Sequence, residues 1–405
     1  MAGDLRALLD QPPSVPFRYV KGLDGIRGLA ILSVMFGHYS AGLSSWAPTR
    51  FFGVSLAIDL FFVLSGFLIT SLLLEEWSTN RTVSLRNFYV RRGLRLLPAL
   101  YTLLAVVLVL AVVTTVFPPH WLPIKLTIAE VGAAALYVYP LVLIVKGGNV
   151  FLLHLWTLSV EEWFYFLWPA FLIFGLRPGT SRRFKQVVGA LAGFCAFCLV
   201  LRALGGHDGL TRLFAAFRPD SLFYGSLLAI GVRRVNEYPN QRLERVMAVA
   251  GPLGVFAFVW FSWFAKFPRL PGLTEVQFHD QAFRSWNYQL GILSTVLFVG
   301  HVVRRPESRF AGFLSWPPLV RIGLISYGLY LWHQPIFLLA NGALHFNGDP
   351  NVAGFTHHSV AARWVFALLV VLGSFLAAWV SRKFVELPAL RLKSRFEVVH
   401  FDEKR

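Results

Sequence analysis

The chain has 405 residues, of which 56% are hydrophobic and only 15% charged, and its formal net charge is +17. Soluble domains have about 45–50% apolar and about 25% charged residues, so this composition excludes an ordinary soluble domain and indicates a membrane protein. The basic residues lie mostly in short segments between apolar runs, which favours the positive-inside bias over a nucleic-acid surface. We therefore expect contact with a lipid bilayer and no nucleic acid.

Apolar runs recur along the whole chain and predict an all-α, polytopic bundle of transmembrane helices. Several runs are long enough to cross about 30 Å of hydrocarbon. The candidate spans are 25–44, 52–74, 97–117, 126–145, 155–176, 186–204, 219–232, 246–265, 286–303, 319–341 and 362–381. If all eleven crossed, the basic loops after residue 176 would contradict the positive-inside rule.

The segment 126–145 is the one that we predict to be re-entrant or interfacial, because it carries Glu130 and Pro140. About ten spanning helices then remain, with both termini in the cytoplasm. The expected organisation is a short cytoplasmic segment (1–20), a membrane domain (21–385) and a cytoplasmic basic tail (386–405).

His38 is an ionisable residue inside an apolar run, where such groups are costly and are functional candidates. It follows Arg27 by 11 residues, which on a helix gives the same face within about 20° and a rise of about 16 Å. Arg27 is thus expected at the cytoplasmic edge and His38 near the bilayer centre. A neutral imidazole there suits a general base for a hydroxyl; a histidine that merely hydrogen-bonds another helix is the alternative.

Arg92 and Arg95 lie in the basic stretch 88–98, and their i, i+3 spacing puts them on one helical face. Guanidinium forks match phosphate oxygens, which suits a phosphate-rich donor arriving from the cytoplasm. Charge counting alone equally favours anchoring at lipid headgroups.

Glu161 and Glu162 form a pair of carboxylates just inside an apolar run. Such a pair is costly unless it is paired or functional. Glu161 is predicted to orient His38, to bind the acceptor, or to pair with an arginine of the outer loops.

Ser326, Tyr330 and His333 recur at i, i+4, i+7 and are expected to form one polar helical face. An interfacial aromatic belt is the alternative for this segment.

Asp59 lies in the second span, and Arg218 and Asp220 lie at the outer start of the seventh. An ion pair between Arg218 and Asp220 would explain both without chemistry. No nucleophile elbow, phosphate-binding loop, zincin motif or metal-ligand spacing occurs, so we expect no metal and no tightly bound cofactor.

Five blocks, in order and over essentially the whole chain, resemble the acyltransferase 3 family of bacterial membrane O-acyltransferases. They are residues 23–30 followed by His38, residues 59–69, Arg92 with Arg95, Trp156 to Tyr165, and Ser326 to His333. In the family, a basic residue precedes the essential histidine by eleven positions, and the arginine motif is implicated in donor handling. The chain departs from the commonest family pattern at Thr157 and Trp163, usually Ser and Gln.

The resemblance implies an O-acetyltransferase of the bacterial inner membrane. It implies catalytic roles for His38, Glu161, Tyr330 and His333. It implies substrate or donor contacts for Arg27, Arg92, Arg95, Asp24, Asp59 and Ser326, and Arg218 and Asp220 are further binding candidates from their position at the start of the seventh span. The expected donor is an acyl-coenzyme A, with acetyl as the expected group, and the expected acceptor is a carbohydrate or lipid-linked sugar of lipopolysaccharide, exopolysaccharide or glycolipid. A macrolide or other secondary metabolite is the alternative acceptor.

Many family members carry an extracytoplasmic esterase-like domain after the last span, whereas this sequence ends soon after Glu386. The expectation is that the transfer is completed here or handed to a separate extracytoplasmic partner. His38 acts either as a base in direct transfer, or through an acyl-enzyme on His38 or Tyr330. The rival class is a secondary transporter or flippase, against which the arginine pair and the lack of an evident repeat both speak.

Overall fold

The computed structural model describes residues 19–43, 54–117, 124–146, 151–177, 181–203, 217–237, 281–344 and 360–396, together with 241–242, 245, 249–254 and 256–257. Within these residues every element is helical, which confirms the predicted all-α class. The helices are α1 (Lys21–Leu43), α2 (Val54–Asn80), α3 (Leu85–Val116), α4 (Ile124–Ala135), α5 (Tyr139–Lys146), α6 (Trp156–Leu176), α7 (Ser181–Ala203), α8 (Asp220–Glu237), α9 (Gln281–Arg304), α10 (Arg309–Leu314), α11 (Pro317–Leu324), α12 (Ser326–Leu344), α13 (Val360–Ser381) and α14 (Leu387–Lys393).

Among the described helices, four are long and apolar enough to cross a membrane, and a bent pair, α11 with α12, makes a fifth if it counts as one span. On α13, Leu368, Leu369, Leu372 and Leu376 are all more than half exposed. Leu368 and Leu369 lie one helical turn before Leu372, and Leu376 lies one turn after it, so the four side chains make one apolar stripe on the outside of the bundle. A stripe of this kind faces lipid rather than water, so the protein is an integral membrane protein.

Two predicted segments have a different shape from a single straight helix. The segment predicted as re-entrant is broken into α4 and α5 at a turn where Tyr137 has a φ of 56°. The predicted span 319–341 is not one straight helix, because α11 and α12 meet at 70°. At Gly323, an added Cβ would lie 1.8 Å from the carbonyl oxygen of Asp24, so α11 is held against α1 while α12 turns away. Most of the predicted span 246–265 lies outside the described residues.

Helices α2 and α8 approach each other closely at two glycines. A Cβ on Gly66 would lie 1.9 Å from the Leu222 carbonyl oxygen, and one on Gly225 would lie 2.1 Å from that of Val63. Small residues at a crossing allow backbones to touch, which is the usual way that membrane helices associate. Any larger side chain at either position would force the two helices apart.

The buried side chains form two clusters that share α2. The first is built mainly from α1, α3 and α12, with Met35, Leu103 and Leu329 in its interior. The second lies between α2, α6 and α7, around Trp168 and Phe184. Of the polar residues that the sequence singled out, His38, Tyr330 and His333 lie within the first cluster, and Arg92 and Glu161 lie between α3 and α6.

Candidate active site

Two histidines from distant parts of the chain meet inside the first cluster. The Nδ1 atom of His38 on α1 lies 3.0 Å from the Nε2 atom of His333 on α12, and the two rings stack with centroids 5.2 Å apart. His333 is fully buried, whereas His38 is partly exposed. The Tyr39 hydroxyl ties α1 to both neighbours, since it contacts the Ser374 hydroxyl at 3.0 Å and donates to the His333 carbonyl at 3.3 Å.

Backbone carbonyls determine which nitrogen of each neutral imidazole carries the proton. The Nδ1 atom of His333 lies 2.7 Å from the carbonyl oxygen of Tyr330 and 3.1 Å from that of Leu329. A carbonyl oxygen only accepts, so Nδ1 of His333 is the donor and its Nε2 is the acceptor. It follows that Nδ1 of His38 donates to His333. The lone pair of His38 is then on Nε2, the nitrogen able to take a proton from a hydroxyl.

A third histidine, His154, borders this pair. It is buried, and its ring centroid lies 5.4 Å from those of both His333 and Tyr330. Its Nε2 donates to the Leu331 carbonyl at 3.2 Å, and its own carbonyl accepts the Tyr330 hydroxyl. The Tyr330 hydroxyl also contacts that of Thr157. Tyr330 is thus held through α6 beside the imidazole pair.

Glu161 lies in a different place from the histidines. Its Oε1 atom accepts hydrogen bonds from the hydroxyls of Ser65 on α2 and Tyr165 on α6. The guanidinium of Arg92 lies over the Tyr165 ring, 3.4 Å from its centroid. His333 therefore contacts His38, whereas Glu161, which was predicted to orient His38, bind the acceptor or pair with an arginine, instead links α2 to the arginines of α3.

Arg27 on α1 and Arg95 on α3 are two further arginines, of which Arg95 also interacts with the charge of Glu161. They are within electrostatic range of each other, and in the part of the chain that the structure describes neither side chain makes a hydrogen bond or salt bridge. Both are partly exposed. Glu386, at the end of a π-helical turn (Arg382–Glu386), is buried and its charge reaches Arg95. Helix α1 thus carries an arginine at this cluster and a histidine at the other site.

The remaining predicted residues make contacts of their own, apart from the histidine site and the arginine cluster or at their edges. Asp24 accepts a hydrogen bond from the Tyr19 hydroxyl. Ser326 is buried at the start of α12. Arg218 forms a salt bridge of 2.7 Å with Asp59, 159 residues away along the chain, whereas the sequence suggested Asp220 as its partner. Asp220 is buried at the start of α8.

Sequence reasoning gave no role to His154 or Tyr165, although Tyr165 ends one of the blocks that it quoted and His154 lies two residues before that block. The available signal was the type of residue: a histidine two positions before Trp156 and a tyrosine one helical turn after Glu161. Within the described residues no group of three or more histidine, cysteine or acidic side chains is arranged to hold a metal ion.

A helical membrane fold that encloses a pair of neutral imidazoles, with Arg27 on the same helix as His38 and two further arginines on α3, suits a membrane-bound acyltransferase. The chain belongs to the acyltransferase 3 family, whose sequence model, described as an acyltransferase domain, matches residues 20–383.

Two curated relatives show the same similarity. The peptidoglycan O-acetyltransferase OatA of Listeria monocytogenes is 30% identical over 383 residues, which are 92% of this chain and 56% of the relative. The O-acetyltransferase OatA of Staphylococcus aureus is 31% identical over 382 residues, which are 92% of this chain and 57% of the relative. This chain therefore spans little more than half the length of these relatives. No solved structure matches it significantly.

Proposed function

We propose that the protein is an O-acetyltransferase of the bacterial inner membrane that moves an acetyl group from acetyl-coenzyme A to a hydroxyl of a carbohydrate. The observation that carries this proposal is the orientation of the His38–His333 pair, which leaves a basic Nε2 on the helix that also carries Arg27. One rigid element thus joins a proton acceptor to a cluster suited to phosphate.

The proposal includes a topology of about ten spanning helices, with both termini in the cytoplasm and the α4–α5 segment re-entrant. The positive-inside bias supports this arrangement. Arg27, Arg92 and Arg95 then face the cytoplasm, where acyl-coenzyme A is made, and His38 lies about 16 Å deeper. The extended pantetheine arm of coenzyme A is long enough to cover this distance.

The chemistry requires a base, an acceptor and a leaving thiol. The acceptor hydroxyl oxygen attacks the thioester carbonyl while Nε2 of His38 takes the hydroxyl proton. The carbon–sulfur bond then breaks, and the departing thiolate recovers that proton from His38, which regenerates the neutral imidazole pair. His333 accepts the hydrogen bond from Nδ1 of His38 throughout, and so fixes the ring and stabilises its protonated form.

Direct transfer is favoured over an acyl-enzyme on Tyr330. A phenol must lose its proton to act as a nucleophile. The Tyr330 hydroxyl instead donates to the backbone carbonyl of His154, which is not a base. Tyr330 is better suited to hold the site in place than to carry the acetyl group.

The acceptor is proposed to be a sugar hydroxyl of a surface or lipid-linked polymer. The name of the Listeria relative supports the glycan strands of peptidoglycan. Glycan fragments are therefore the first acceptors to test, with a macrolide as the comparison.

The test is acetyl-coenzyme A binding by purified protein in detergent, measured by calorimetry for the wild type and for Arg92→Ala/Arg95→Ala. We expect the double variant to lose at least tenfold in affinity while it remains folded. A folded wild type that binds no acetyl-coenzyme A would overturn the proposal and favour a transporter.

A further inference from the structure

The third histidine of the site, His154, is held in one orientation in the short helical turn (Leu153–Leu155) that precedes α6. Its Nε2 atom lies 3.2 Å from the carbonyl oxygen of Leu331, and its ring packs edge-on against that of His333 at an interplanar angle of 76°. A carbonyl oxygen only accepts, so Nε2 carries the proton and Nδ1 of the neutral ring carries the lone pair. His154 therefore presents a hydrogen-bond acceptor, Nδ1, beside the His38–His333 pair.

This Nδ1 atom is buried, and within the described part of the chain no group donates a hydrogen bond to it. The residue as a whole is only 4% exposed. Both ring nitrogens of His333 have partners, at 2.7 and 3.0 Å. A buried acceptor without a donor costs about 1–3 kcal/mol, which a bound substrate with a suitable donor would recover. Transfer through His38 makes no use of this atom.

The position of His154 favours the acceptor as the source of that donor. His38 and His154 both contact the ring of His333, so whatever binds at Nε2 of His38 comes close to His154. Under the proposed topology, α6 begins on the extracytoplasmic side, whereas coenzyme A enters from the cytoplasm. A sugar presents further hydroxyls, and an amino sugar an acetamido N–H, next to the hydroxyl that reacts.

Resting on the proposed function, we propose that Nδ1 of His154 accepts a hydrogen bond from a second donor of the acceptor sugar while His38 deprotonates the reacting hydroxyl. This second donor is a neighbouring hydroxyl or an acetamido N–H. A site with a buried polar atom placed for a substrate group discriminates strongly against analogues that lack the group, because the atom is then left unpaired. His154 thus makes the site select a sugar over a simple alcohol.

Two substitutions each keep the function of one ring nitrogen. In His154→Gln, the amide nitrogen lies near the position of Nε2 and still donates to the Leu331 carbonyl, but nothing replaces Nδ1. In His154→Asn, the amide oxygen lies near the position of Nδ1, but the donor to Leu331 is lost. The two variants therefore separate contact with the acceptor from structural support.

The experiment measures transfer from acetyl-coenzyme A to a peptidoglycan disaccharide by full-length protein in detergent. His154→Gln should raise the KM for the disaccharide tenfold or more with little change in kcat, because a contact made equally before and during reaction affects binding. His154→Asn should keep that KM within about threefold. Acetyl-coenzyme A affinity, measured by calorimetry, should stay within about twofold in both. A purely structural role predicts the reverse order, since only His154→Asn breaks the hydrogen bond to Leu331.

Acceptor analogues give a second measurement, which the wild type alone can supply if the variants do not fold. They are monodeoxy and N-methyl forms of the disaccharide that keep the reacting hydroxyl. With the wild type, one analogue should lose tenfold or more in kcat/KM. With His154→Gln, the same analogue should differ from the parent disaccharide by no more than about twofold, because the partner of the missing group is already gone.

Three results would overturn the inference: a His154→Gln protein with the wild-type KM, a wild type that acetylates every analogue equally well, or a wild type that acetylates 1-octanol as well as the disaccharide. The proposed function would survive each of them, because the wild type would still bind acetyl-coenzyme A and transfer its acetyl group. A wild type without affinity for acetyl-coenzyme A would instead remove the proposed function itself.

Discussion

The histidine site and the arginine cluster are built in opposite ways. At the histidine site, backbone carbonyls of α12 hold His333, and His333 holds His38, so the pair needs no charge to be stable. At the arginine cluster, charges set the arrangement: Arg92 is attracted to Glu161 and Glu162, and Arg27 and Arg95 repel each other. The contrast is that one site is held by hydrogen bonds between uncharged groups, whereas the other depends on the balance between like and opposite charges.

The largest expected effect comes from removing the base. His38→Gln should lower acetyl transfer to peptidoglycan glycan fragments by about 10³-fold, because a positioned general base contributes about 10²–10⁴-fold. Acetyl-coenzyme A affinity, measured by calorimetry, should stay within about twofold of the wild type. A folded His38→Gln protein with normal turnover would remove the base from the mechanism.

A second prediction compares two arginines through thermal unfolding in detergent. Arg218 has an acid partner and Arg95 has a cationic neighbour. Arg218→Gln leaves Asp59 buried without that cation and should cost about 3 kcal/mol or more of unfolding free energy.

Arg95→Gln should cost no stability, because it relieves repulsion with Arg27. If Arg95→Gln destabilised the protein as much as Arg218→Gln does, repulsion between Arg27 and Arg95 would not lower the stability of the folded protein.

The third prediction concerns the orientation of His38. His333→Asn removes the atom that accepts from Nδ1 of His38 and should lower kcat by about 10²-fold, since loss of alignment at a reacting group costs about this much. His333→Gln places an amide oxygen near the position of Nε2 and should lower kcat by only about tenfold. Coenzyme A affinity should be unchanged in both, and equal losses in the two variants would argue against an orienting role.

The smallest effect is expected from Tyr330→Phe. It deletes the hydrogen bond to the His154 carbonyl, which should cost about 1 kcal/mol of stability. Turnover should fall less than tenfold, because the acetyl group passes directly to the acceptor. Complete loss of turnover in a folded Tyr330→Phe protein would instead indicate an acyl-tyrosine intermediate.

Sequence reasoning found single residues more readily than their partners. His38 was recognisable because an ionisable group in an apolar run is costly. The i, i+4, i+7 spacing correctly predicted that Tyr330 and His333 lie on one helix, but periodicity reports a face and not the helix that packs against it. The contact between His38 and His333 spans 295 positions. The pairing of Asp59 with Arg218 was missed for the same reason.

The fold shows a similar division. The all-α class followed from apolar runs of sufficient length. The 70° bend between α11 and α12 did not, because it arises where Gly323 packs on the backbone of α1, and hydropathy carries no information about such a contact.

Because Arg27 and His38 are on one continuous helix, their separation of about 16 Å cannot vary much as the protein moves. Under the proposed function, α1 therefore fixes the distance between Arg27, near the phosphates of the donor, and His38, near its thioester. Acetyl phosphate, in which the phosphorus and the acetyl carbonyl are joined through one oxygen, is too short to reach both ends. The protein should consequently reject acetyl phosphate as a donor, even though it carries the same acetyl group.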